Sequence, residues 1–225
     1  MLSPILAPIW GANSLFEYIF SSPLEKRKNE WMDYVGGFLQ QNFGDNLENL
    51  ASNEKFITIF IQATRVAAQN HQEEKLESLR NAVVSSVYTQ DISEDLQLTF
   101  IRFVDELTPS HILLLKFFVK FEHEIAKLKS YPELFSFFHG HYEYSNALYQ
   151  DEFKMFVSDL NNRGLVRISQ DIGDFDDIYE ASSILLEETN DSLPRILITN
   201  VAKDFIRFIS EIDSPKPTPN EKTIV

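Results

Sequence analysis

The sequence predicts a mainly α-helical protein with a short β-hairpin near its C-terminal end. Three observations lead there. Apolar residues recur at spacings of three and four along most of the 225 residues, Gly is scarce (7 against 19 Phe), and the pattern changes period at residues 165–169 and 195–199, two short strand candidates. A hydrophobic fraction of 44% supplies a core and excludes a disordered or collagen-like chain.

Residues 1–22 form an apolar N-terminal segment. Pro4, Pro8, Gly11 and Asn13 interrupt helix continuity and Glu17 is costly at a bilayer centre, so residues 2–20 are not expected to span a membrane. No Lys or Arg precedes the apolar part, which argues against a signal peptide. Trp10, Phe16 and Phe20 followed by Lys26, Arg27 and Lys28 nevertheless has the order of an interfacial anchor, aromatic contacts first and then cations for anionic headgroups.

Residues 23–107 read as a helical bundle. Pro23 suits a first turn after Ser22, and Trp31, Tyr34, Val35, Phe38 and Leu39 define one buried stripe that Gly36 and Gly37 weaken. After a polar joint at 44–53, the run from Phe56 to Ala67 is apolar nearly all round and is expected to be the central helix of this domain. Residues 72–87 are amphipathic, with Leu76, Leu79, Ala82, Val83 and Val87 inside and Glu73, Glu74, Lys75 and Glu77 on a solvated face. A capped helix follows Ser93, with Leu96, Phe100, Phe103, Val104 and Leu107 inward.

Residues 108–212 form the second predicted domain. Thr108 as cap and Pro109 at the first position start a helix through Phe121, its polar residues Lys116, Lys120, His123 and Lys127 forming one stripe. A loop containing His139, Gly140 and His141 leads to an amphipathic helix at 151–163 that Gly164 stops. Two strands flank an acidic insert, Asn200 is placed to cap a last helix, and 213–225, with three Pro, reads as a flexible tail.

Composition excludes several chemistries. Without Cys there is no disulfide, thiolate nucleophile or Cys-ligated metal, which fits a reducing, cytoplasmic setting. P-loop, GxGxxG and GxSxG motifs are missing, and no cofactor is expected. A net charge of −14 opposes non-specific binding to nucleic acid.

The order helix, helix ending in NNRGLV, strand, loop, strand ending in LIT, and a terminal helix AKDFIRFI resembles a winged-helix domain over residues 108–212. The segments SPLEKRKNEWM, HQEEKLESLRNAV and DISEDLQLTFIRFVDELTPSHILLLKFF resemble uncharacterised bacterial proteins and, more distantly, the Abi-alpha family associated with abortive infection. That resemblance implies a phage-defence setting and carries over no catalytic residue.

In a DNA-binding winged helix the helix before the first strand reads bases, which here offers Lys154, Asn161, Asn162 and Arg163. Asp151, Glu152 and Asp159 share that helix, and the wing region at 171–191 carries eight acids and no Lys or Arg, so DNA is disfavoured and a protein partner or a second copy of the chain is expected. Arg65 and His71 match the loose spacing of the HEPN ribonucleases, but six residues of unbroken helix leave the two side chains about a third of a turn apart. His139 and His141, with Glu143, are weak metal candidates, since nothing completes a ligand set. The leading expectation is therefore a non-enzymatic interaction or regulatory protein, with a HEPN-like ribonuclease, a membrane-acting peripheral effector and a winged-helix DNA-binding regulator as alternatives.

Overall fold

The computed structural model describes residues 22–128, 130–141, 148–169 and 195–211. The chain is mainly helical, with a small two-stranded antiparallel sheet. Its described residues fall into two compact units, 22–105 with 208–211 and 106–207. The apolar segment before Ser22, most of the acidic insert and the Pro-containing tail lie outside the described residues.

In the first unit, α1 (Ser22–Phe43) runs through Gly36 and Gly37 without a break, both on its exposed side, where a Cβ would meet nothing within 4 Å. Trp31, Val35 and Leu39 are its buried stripe; Tyr34, expected inside, is exposed. A 3-10 turn (Gly44–Asn46) and the short α2 (Leu47–Leu50) lead to α3 (Glu54–Gln69), where the Asn53 side chain accepts from Phe56 N–H. The expectation that α3 is the all-round core helix needs correction. It buries Phe56, Ile59, Ala63, Val66 and Ala67 but leaves Ile61 61% exposed.

The more enclosed helix is α4 (Glu73–Tyr88), which packs against both α1 and α3. Residues 81–86 are all buried, and so is Lys75, at 6% exposure, where the sequence pattern put it on the solvated face. Lys75 Nζ donates to the Asp105 carbonyl at 2.7 Å, satisfying an acceptor in the last turn of α5 (Glu94–Glu106). Burial lowers the ammonium pKa, and the Asp105 charge opposes that shift. Elsewhere in this unit, Gln97 Nε2 donates to the carbonyls of Thr89 and Ile92, and Asn81 Nδ2 donates to Ile209 at 3.1 Å.

In the second unit buried phenylalanines from three helices meet. From α6 (Pro109–Lys120) come the buried Phe117 and Phe118; from α8 (Tyr131–Gly140) comes Phe138, and from α9 (Gln150–Asn162) Phe153. Phe117 meets Phe138 edge-on with ring centres 5.1 Å apart, and Phe138 meets Phe153 at 5.3 Å. The helix expected to carry one polar stripe to Lys127 breaks at Phe121, which separates α6 from α7 (Glu122–Ile125). Ser130 then caps α8, its hydroxyl accepting from Glu133 N–H.

Gly164 stops α9 as its sequence position predicts. At φ +71 it occupies the left-handed region, while Leu165 N–H reaches back to the Leu160 carbonyl and Gly164 N–H to Asn161. Strand β1 (Val166–Ser169) then pairs antiparallel with β2 (Arg195–Ile198), Val166 opposite Ile198 and Ile168 opposite Ile196. Val166, Ile196 and Ile198 are buried, whereas the alternate residues Arg167 and Leu197 are exposed. The last helix, α10 (Asn200–Ile209), is capped by Thr199 rather than Asn200: Ala202 N–H donates to the Thr199 hydroxyl, which itself bonds back to the Gly164 and Leu165 carbonyls.

Candidate functional site

Helix α9 has a buried side, Phe153, Val157 and Leu160, and an exposed one that carries Asp151, Glu152, Lys154, Met155 and Asn162. Tyr149 sits at its N-terminus, 81% exposed, with its backbone N–H bonded to Glu152 Oε2; Met155 is 57% exposed. Two of the four residues proposed for DNA contact are engaged within the unit. Arg163 binds Glu106 through Nη1 and Asp159 Oδ2 through Nε at 3.1 Å, and the hydrogen bond to Glu106 is the main cause of a guanidinium pKa raised further above its usual range. Asn161 Oδ1 accepts from Ile168 N–H at 3.0 Å. Lys154 and Asn162 remain exposed.

The Asp159 carboxylate continues this network into α6. Its Oδ2 lies 3.2 Å from Nε2 of the buried His111, whose ring lies 4.1 Å from that of Phe156. The other His111 nitrogen, Nδ1, is 2.7 Å from the Thr108 hydroxyl and closes a capping box at the start of α6. Arg163, Asp159, His111 and Thr108 therefore link the end of α9 to the first turn of α6. This chain depends on partners far apart in sequence, and only Thr108 was legible beforehand.

His139 lies on α8 rather than in a loop, and His141 follows at its C-cap. Each spends one ring nitrogen on a backbone carbonyl: His139 Nε2 donates to Leu148 and His141 Nδ1 to Phe137, both at 2.8 Å. The rings rest on Phe135 and Phe121 respectively, each with centres 4.2 Å apart. Glu143 is outside the described residues, and among the described residues no group of three or more His, Asp or Glu is placed to hold a metal ion.

The first unit contains an open cleft of about 350 Å³ between α1 and the joint from α3 to α4. Its wall includes Arg27, Glu30, Trp31, Tyr34, Asn70, His71, Glu73 and Leu76. Asn70 is the extended residue that ends α3, so His71 leaves the helix axis and enters the cleft. Arg65, exposed on α3, is not among the lining residues; the arginine that shares the cleft with His71 is Arg27. Trp31 is held by its indole N–H donating to Thr64 Oγ1 at 3.1 Å.

Lys26, Arg27 and Lys28 are all exposed on α1, and Lys26 lies 3.6 Å from Glu30. Trp10, Phe16 and Phe20 fall outside the described residues. Among the described residues no helix is long and apolar enough to cross a membrane. No protein-family model matches the chain, and neither a curated protein nor a solved structure matches it.

The sequence reading missed Met155 and Tyr149. A signal for Met155 was present, since it lies out of phase with the stripe of Phe153, Phe156, Val157 and Leu160. No comparable signal marked the cleft, because α1 and α4 are separated by the twenty-nine residues 44–72.

Proposed function

We propose that this chain is a non-enzymatic interaction or regulatory protein whose second, winged-helix-like domain meets a protein partner through the exposed side of α9. One observation carries the reading. The helix placed to read DNA has its arginine neutralised by Asp159 and Glu106, while Tyr149 and Met155 stand exposed beside Asp151 and Glu152. Exposed aromatic and thioether groups with acidic neighbours suit a protein surface better than a phosphate backbone. The helix–strand–strand–helix order supports the winged-helix reading, and the sequence resemblance to the Abi-alpha family suggests bacterial phage defence as the setting.

The test compares the wild-type chain with Met155→Asp as bait in host lysate, and both with duplex DNA at physiological salt. The expected result is a partner whose retention falls about tenfold or more in the variant, with no DNA shift, because a charge placed in an apolar contact loses its desolvated packing. A DNA shift abolished by Lys154→Glu, together with capture indifferent to Met155→Asp, would replace this reading with the DNA-binding regulator.

A further inference from the structure

We infer that the cleft between α1 and α4 binds a basic side chain, the arginine or lysine of a partner protein. The inference rests on the reading of the chain as an interaction protein and assigns a specific receptor to its first unit. Glu30 on α1 and Glu73 at the start of α4 put a carboxylate on each of the two helices that border the cleft. Tyr34, 43% exposed, gives the wall an aromatic side above the buried Trp31, and Leu76 supplies apolar surface for an aliphatic stem. Carboxylates beside aromatic faces are the surroundings that stabilise a guanidinium or ammonium group on a hydrocarbon stem. The volume, about 350 Å³, is that of a side chain with room for water.

The protein itself demonstrates the same recognition one turn away. Arg80 of α4 lies over the Phe38 ring at 4.2 Å and the Tyr34 ring at 5.2 Å, donates to the Tyr34 hydroxyl at 2.7 Å, and lies 3.7 Å from Glu77. An aromatic shelf on α1 with a glutamate on α4 thus already holds one guanidinium. Leu76 and Glu73 lie about one and two turns before Arg80 on α4, and both line the cleft. The chain's net charge of −14 favours the approach of a basic partner. Arg27 in the wall and Lys26, 3.6 Å from Glu30 at the surface, are the cations a ligand must compete with, and this makes the electrostatics testable in both directions.

The experiment uses the full chain labelled with ¹⁵N and titrates it with N-acetyl-arginine amide and, separately, with the neutral isostere N-acetyl-citrulline amide. The expected result is a saturable shift of the Trp31 indole and the His71 and Leu76 amides with the arginine compound only. Glu30→Gln and Glu73→Gln, both at exposed positions, should each weaken it about two- to fivefold, as for solvent-exposed ion pairs, and Arg27→Gln should strengthen it. Equal response to the citrulline compound, no saturable shift, or weakening by Arg27→Gln would overturn the proposal. Because the probe is a single amino-acid derivative, its outcome is independent of whether α9 captures a protein.

Discussion

The two units enclose their interiors by different chemistry. The second sets Phe117, Phe118, Phe138, Phe153 and Phe205 among aliphatic side chains such as Leu114, Leu115, Val157 and Leu160, with His111 its one buried polar residue among those described. The first buries Lys75, Ser78, Asn81, Ser85, Ser86 and Gln97 alongside aliphatic residues and Trp31, Phe56, Phe100 and Phe208. Lys75 and Asn81 there bond to main-chain carbonyls of residues distant in sequence, and Gln97 to those of the loop preceding its own helix, so they serve as internal caps. An apolar interior is assembled by buried area, whereas buried polar groups stabilise only when donors meet acceptors.

The largest expected effects test whether those buried polar contacts are as necessary as the apolar packing. Phe117→Ala should cost about 3–5 kcal/mol, the usual price of an aromatic cavity. Lys75→Glu should cost a similar amount, about 3–5 kcal/mol, because a buried carboxylate would face the Asp105 carbonyl that the ammonium now satisfies. Urea unfolding followed by circular dichroism measures both, with Lys75→Met as the milder comparison. If Lys75→Glu behaved like an ordinary surface substitution, the distinction between the units would be wrong.

A smaller effect is expected at the start of α6. Thr108→Ala removes the cap and the hydroxyl partner of His111, which should cost about 0.5–2 kcal/mol. The same urea measurement checks it.

The alkaline range separates the units by sign. Burial pushes the Tyr131 phenol up to about 12 from 10.0, so its contribution to stability is fully present below pH 10 and is lost as pH rises towards 12. The Lys75 pKa is lowered by burial instead, so the unfolded chain holds more protons at that site and stability rises with pH through the window below 10.5. Tyr131→Phe should therefore flatten a loss of urea midpoint between pH 10 and 12, and Lys75→Met should flatten a rise below 10.5.

The contrast also explains what the sequence made legible. Local signals were sufficient for the cap at Thr108, the left-handed Gly164, the alternation of the two strands and the phenylalanine helices. Lys75 was misplaced because an E-E-K-L run reads as solvated, and only an acceptor thirty residues later decides otherwise. His139 was assigned to a loop because of the neighbouring glycine, although Ser130, Pro132 and the Phe run extend the helix to Gly140. For the candidate surface, the composition of α9 was plain, but the engagement of Arg163 by Glu106 and of Asn161 by Ile168 depends on tertiary neighbours.

The central claim is that α9 faces a protein partner, and amide hydrogen exchange tests it most directly. Exchange is compared for the chain alone, with the captured partner, and with duplex DNA at physiological salt. The expected result is that the partner slows exchange across Tyr149 to Asn162 and that DNA leaves it unchanged. Slowing of that helix by DNA, or partner binding that leaves it unprotected, would contradict the account.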